Sequence, residues 1–246
     1  MAIAFFLLPL AGLVIRAPWR QAPAELSDPL TLQALRLSLE CSLLATLFSV
    51  VFGVPLAWLY ARGDFVGRRW LRALTTLPLV LPPVVGGLAL LLAFGREGLF
   101  GRWLQATFDV SVPFTTASAV MAETFVAMPL LVLTVESGLN SLDVRYEAAA
   151  RTLGASRLAV FWRVTLPLIA PSIAAGGVLC WARALGEFGA TITFAGNFPG
   201  VTQTMPLAVY ILLQTNPAAS FVLSLAMLAV SLVVLAVLGR RWLGAA

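Results

Sequence analysis

From Phe188 to Gly239 the chain carries no charged residue, and Cys41 to Ala61 is a second uncharged run long enough to cross a bilayer alone. Runs of this kind leave few options. In hydrocarbon every backbone N–H and C=O must be satisfied within the chain, so such segments form helices or closed barrels. At this length the runs are read as spanning helices. With 60% hydrophobic and 11% charged residues, the chain has the make-up of a multispanning membrane protein. Its 246 residues supply about six spans of about 20 residues with their loops, a single transmembrane domain over 1–246 with no length left for a soluble one.

All 16 basic residues are arginine, and neither Lys nor His occurs. The commonest general base, the usual zinc ligand and the Schiff-base amine are therefore missing together, and no metal site or catalytic residue is expected. A membrane-embedded enzyme would need acids, His or Cys gathered at one depth, whereas the acids are scattered and Cys41 and Cys180 sit inside apolar runs as buried thiols. The net charge of +5 comes from arginines flanking apolar runs, a membrane pattern rather than a nucleic-acid one.

Expected spans are Met1 to Ile15, Thr31 to Tyr60, Ala73 to Phe94, Phe114 to Val135, Leu166 to Leu185 and Phe221 to Leu238. The first is read as a span because no positive segment precedes Ile3; were it a cleaved signal, five spans and an external N-terminus would remain. Arg36 and Glu40 form a helix-surface pair at i, i+4. Pro78, Pro82 and Pro83 should bend or break the third span. Glu123, inside the fourth, must face the protein interior or lie near an interface, and the outer interface is the expected position. Ala174 to Gly177 offers a small-residue packing face, and Gly189 to Pro217 reads as an external or re-entrant element. The topology puts Arg62, Arg68, Arg69, Arg72, Arg145, Arg151, Arg157, Arg163, Arg240 and Arg241 inside against Arg16, Arg20, Arg96 and Arg102 outside. Both termini are then cytoplasmic.

Between the fourth and fifth spans lies an arginine-studded island, Glu147 to Pro167. Asp143 can cap a helix whose first turn holds Glu147, and Glu147 with Arg151 at i, i+4 would support that helix from its surface. Ala148 and Ala149 leave little bulk there, so another protein could approach closely. Gly154 suits the residue just past the helix end, and Ser156 can start a second short helix, Arg157 to Val164, before Pro167. From composition alone this is an ordinary basic loop.

The spacing Glu147-Ala148-Ala149, Gly154, then Val164-Thr165-Leu166-Pro167 resembles the EAA motif of ABC-importer permeases, with Val164 in place of the usual Ile. The resemblance implies a type I importer permease whose coupling helix, carrying Glu147, Ala148, Ala149, Arg151, Gly154, Val164, Leu166 and Pro167, docks on a separate ATPase subunit. Gly186 to Thr191, Ala195-Gly196-Asn197, Pro199 to Thr204, Leu77 to Pro83 and Phe94 to Gly98 are similar to molybdate and tungstate permeases of the ModB type. Sulfate permeases are relatives, and Phe188 leans toward molybdate. The implied protein sits in the bacterial cytoplasmic membrane as a homodimer with two ATPase subunits, which use ATP and Mg, and an extracytoplasmic oxyanion-binding protein. The chain itself would bind no cofactor and catalyse nothing. Glu123, Arg183, Glu187, Phe188, Gly189 and Thr191 are its pathway and gate candidates, with Glu187 paired to Arg183 rather than touching the anion.

Overall fold

Prolines and small polar caps set the helix boundaries. The computed structural model describes residues 1–243, without the side chains of Ala2, Leu235 and 237–243. In chain order the helices are α1 (Ala2–Arg16), α2 (Ala22–Ser27), α3 (Pro29–Arg62), α4 (Arg68–Thr76), α5 (Pro83–Phe94), α6 (Gly101–Phe108) and α7 (Thr116–Ser141). They continue as α8 (Val144–Thr152), α9 (Arg157–Val160), α10 (Leu166–Leu185), α11 (Gly189–Phe194), α12 (Met205–Thr215) and α13 (Pro217–Leu243). The chain is all-helical across the described residues. It divides into two units, one of residues 1–39 with 196–246 and one of residues 40–195.

Among the described residues four helices are long and apolar enough to span a membrane: Pro29–Arg62, Thr116–Ser141, Arg157–Leu185 and Pro217–Val234. A fifth arises if Arg68–Leu79 and Pro83–Phe94, bent by 117°, count together. The third expected span is thus broken where its prolines predicted. Pro82 and Pro83 withdraw two N–H donors at the bend, and a 3-10 turn over Leu77–Leu79 leads into it. The apolar helix at the N-terminus is 15 residues long, about 22 Å at the helical rise, short of the hydrocarbon thickness. Length alone therefore does not reach the expected six. The side chains of Arg240 and Arg241, expected to close the last span, lie outside those described.

In the unit of residues 40–195, α7 is the central helix. Thr115 and Ser118 start it with a reciprocal capping box. Ala119, Ala122, Val126, Ala127, Leu131, Val135 and Leu139 form its buried stripe. Helix α10 lies close against it: a Cβ at Gly138 would collide with the Ser172 side chain, and one at Gly176 would stand 3.3 Å from Leu131 Cα. Within the expected small-residue face Gly176 serves this contact, whereas a Cβ at Gly177 would meet nothing within 4 Å. Leu90, Ala122, Val126, Ala190 and Phe194 join α5, α7 and α11 in one apolar cluster.

In the other unit, Asp28 Oδ2 accepts the N–H groups of Leu30 (3.0 Å) and Thr31 (3.1 Å) and so caps α3. Ala34, Met205, Ala208 and Leu223 form its core, with α12 on α13. The buried N–H of Met205, in the first turn of α12, donates to Ser38 Oγ at 2.6 Å. Ser38→Ala leaves that donor without an acceptor, and should destabilise the protein by about 1–3 kcal/mol, read as a lowered melting temperature in detergent.

Candidate functional site

The loop after α7 begins as its sequence suggests. Asp143 Oδ1 accepts the N–H of Arg145 at 2.9 Å and caps α8. At the other end, the N–H of Gly154 donates to Arg151 O (2.9 Å) and that of Ala155 to Ala150 O (3.1 Å), the paired bonds of a Schellman turn. Gly154 has φ +84°, the left-handed conformation that this turn requires.

Glu147 departs from expectation. It is 4% exposed and points into the protein, not along the helix surface. Its Oε2 accepts from Arg62 Nε at 3.0 Å, and its Oε1 accepts from the Thr165 hydroxyl at 2.9 Å. Arg151, the expected i, i+4 partner, stands 3.9 Å away with a half-exposed side chain. The carboxylate therefore ties the end of α3 and the entry to α10 to the first turn of α8. A pocket of about 170 Å³ beside it is lined by Trp58, Arg62, Arg151, Arg157, Phe161 and Thr165 among others. The Trp58 and Phe161 rings close one side edge-to-face at 5.7 Å.

The second short helix expected over Arg157 to Val164 is not separate. Ser156 Oγ caps α9 through the Ala159 N–H, as expected, but the chain then passes through one π-helical turn, Phe161–Thr165, directly into α10. Pro167 follows at once; it has no N–H for the α-helical rung, and the wide turn accommodates that loss. Thr165 in this turn is the residue that reaches Glu147.

The outer surface of the loop mixes small, apolar and cationic side chains, with Arg145, Arg151, Arg157 and Arg163 all exposed. Ala148 and Ala149 are exposed, Pro167 likewise, while Val164 and Leu166 are half-buried. Leu153, beside the turn glycine, is 88% exposed, and Val144, Tyr146, Leu158 and Trp162 also stand out.

Of the pathway candidates, Arg183 and Glu187 meet at 2.6 Å, as their spacing predicts. Glu187 Oε1 also accepts the Ala190 N–H at 2.8 Å, so this carboxylate fixes the turn from α10 into α11. Gly189 is buried against α5, where an added Cβ would stand 2.9 Å from Pro83 Cβ. Phe188 is half-buried and Thr191 fully buried, its Oγ1 with no hydrogen-bond partner among the described residues. Glu123 is 1% exposed, so its side chain faces the protein interior.

Sequence reasoning missed Arg62, Thr165 and Trp58 around Glu147. It also missed a further buried acid, Glu136, whose Oε2 lies 3.1 Å from Arg72 Nε. Glu136 stands one residue beyond the expected end of the fourth span, but α7 runs on to Ser141 and carries it inside.

Residues 49–243 match the family described as binding-protein-dependent transport system inner membrane component. The chain is 46% identical over 239 residues to the molybdenum transport system permease protein ModB of Mycobacterium tuberculosis, covering 97% of this chain and 90% of that protein. It is 46% identical over 218 residues to ModB of Escherichia coli, covering 89% and 95%. The sulfate transport system permease protein CysT of Escherichia coli is 40% identical over 234 residues, covering 93% and 84%. Among solved structures, a bacterial ABC transporter importing the polysaccharide alginate aligns with TM-score 0.73 at 18% identity, covering 96% of this chain and 88% of that one. The methionine transporter MetNI aligns with TM-score 0.67 at 16% identity, covering 89% and 98%. At such identities these two speak for the fold, and the curated relatives speak for the family. The chain belongs to the binding-protein-dependent transport system inner membrane components, as an ABC-importer permease of the ModB type, a transport subunit rather than an enzyme.

Proposed function

We propose that this protein carries molybdate, or the nearly identical tungstate, across the cytoplasmic membrane by alternating access, as a homodimer driven by two ATPase subunits and fed by an extracytoplasmic binding protein. The observation that carries the coupling part is the Glu147 anchor. A buried carboxylate holding Arg62 and Thr165 makes α8 a rigid extension of α3 and α10, while Ala148, Ala149 and Leu153 stay exposed for a partner. A push on α8 then reaches two long helices at once. ATP can bias the permease between inward-open and outward-open states only if these contacts differ between them, and a rigid exposed element gives such contacts a place to act.

The substrate reading is supported by the names of the relatives, ModB at 46% identity and CysT at 40%, together with Phe188. In this reading the Arg183–Glu187 pair, Phe188, Gly189, Thr191 and Glu123 form a gate or its packing. The pair neutralises Arg183, so selectivity falls mainly to the binding protein.

Proteoliposomes holding the assembled importer test both parts. Molybdate uptake should depend on loaded binding protein and ATP; sulfate uptake without molybdate or tungstate uptake would establish the sulfate alternative instead. In the same preparation Gly154→Val should insert normally yet lose stimulation of ATP hydrolysis. There is open space around Gly154, so the obstacle is its φ alone, at about 1–3 kcal/mol for a β-branched residue. Normal stimulation in that variant would count against coupling through α8.

A further inference from the structure

Neither site above uses α4. At 100° per residue its side chains sort into two faces, Arg68, Arg69, Arg72, Thr75 and Thr76 on one and Trp70, Leu71, Ala73 and Leu74 on the other. The polar face is the one fastened to the protein. Arg72 reaches Glu136 on α7 at 3.1 Å, and Arg68 Nη1 donates to Gly63 O at 3.2 Å. Thr75 spends its proton on Leu71 O, so Tyr60 donates to Thr75 Oγ1, at 2.6 Å. The apolar face is consequently turned away: Trp70 is 78% and Leu74 63% exposed, and no residue of α4 is buried.

Arginines crowd the rim of that face. Arg69 is exposed, and an open cavity of about 590 Å³ is lined by Asp64, Phe65, Gly67, Arg68, Arg69, Trp70 and Arg72, with one acid among three arginines. Beyond Thr76 the chain bends by 117° into α5, so α4 runs across that segment rather than along it. We propose that α4 is an interfacial helix that binds an anionic phospholipid, with acyl chains against Trp70, Leu71 and Leu74 and the phosphate held by Arg68 and Arg69. The leaflet is the one on the side of α8, because Arg62, just ahead of α4, is bound to Glu147. Lipid is the occupant that matches all three features: an outward apolar face, a tryptophan on it and a cationic rim. A second copy of this chain would bring the same arginines against one another.

Trp70 is itself the probe. The full chain is reconstituted in phosphatidylcholine vesicles containing, at equal mole fraction, either brominated phosphatidylglycerol or brominated phosphatidylcholine, and the Trp70 emission is taken as the difference between wild type and Trp70→Phe. Quenching by the brominated phosphatidylglycerol should be the stronger, because partition of that lipid to the site is favoured by about fivefold for each arginine engaged. The excess should shrink in Arg69→Gln and in high salt, which screens the attraction without changing the protein. Equal quenching by the two lipids overturns the headgroup site. A Trp70 quenched by neither is covered by a second copy or another subunit, which overturns the proposal as well.

Discussion

Glu147→Ala is expected to reduce ATP-driven uptake by the assembled importer about 100-fold, while Arg151→Ala leaves most of it intact. The difference follows from burial. The Glu147 side chain is 5% exposed and its partner Arg62 17%, so removing the carboxylate leaves a largely dry guanidinium facing Thr165 with nothing to neutralise it. Breaking a buried pair from one side costs about 3 kcal/mol or more, roughly two decades in an equilibrium between the anchored and the released loop. Arg151 stands 3.9 Å away and half in solvent, and its removal should cost under about 0.5 kcal/mol. Glu147→Gln should fall between the two, because an amide oxygen can still accept from Thr165. Adding Arg62→Ala to Glu147→Ala should recover part of the loss, since the stranded charge is gone. Uptake in proteoliposomes and retention of the ATPase subunit in pull-downs measure these effects. Equal losses in Glu147→Ala and Arg151→Ala would show that the surface pair, not the buried one, holds the loop.

What could be read in advance was local. The ends of α10, the break at Pro82 and Pro83, the Asp143 and Ser156 caps and the turn at Gly154 each depend on residues within a few positions of one another. Glu147 shows the limit. Spacing along one helix offers Arg151, which does stand at ion-pair distance, but the hydrogen-bonded partners lie 85 and 18 residues away in the chain, and no period connects them. Arg62 counted only toward the sidedness of the membrane because a charge at the end of an apolar run fits that rule by itself. Helix α4 was hidden for a related reason. Its amphipathic pattern straddles the boundary drawn between a cationic loop and a span starting at Ala73, so neither window contained a full turn of both faces. The Arg183–Glu187 pair was legible because both ends lie one turn apart, but the bond from Ala190 that makes it a structural pin was not.

The close approach of α11 to α5 predicts the second large effect, loss of the folded, transporting protein in Gly87→Val. A Cβ at Gly87 would stand 2.6 Å from Ala190 O and 2.8 Å from Ala190 Cα, both backbone atoms that no rotamer change can move. Gly189 makes the reciprocal contact against Pro83 and Val84, so the two segments touch backbone to backbone at both points. Even Gly87→Ala must displace α11, at about 1–3 kcal/mol, and a branched side chain must displace it further. The displacement does not stay local, because the Ala190 N–H is bonded to Glu187 and Glu187 holds Arg183; transport should fail in Gly87→Ala before the fold does. Two other glycines separate this from a general effect of losing glycine. At Gly86 the nearest atom is Phe125 Cε1 at 3.2 Å, on a ring that can turn, and at Gly177 nothing lies within 4 Å. Gly86→Ala should therefore be mild, and Gly177→Ala neutral or stabilising through helix propensity. Melting temperatures in detergent with substrate uptake for the four variants provide the comparison. A Gly87→Val protein that melts and transports like wild type would mean that α5 and α11 do not meet in any state the transporter needs.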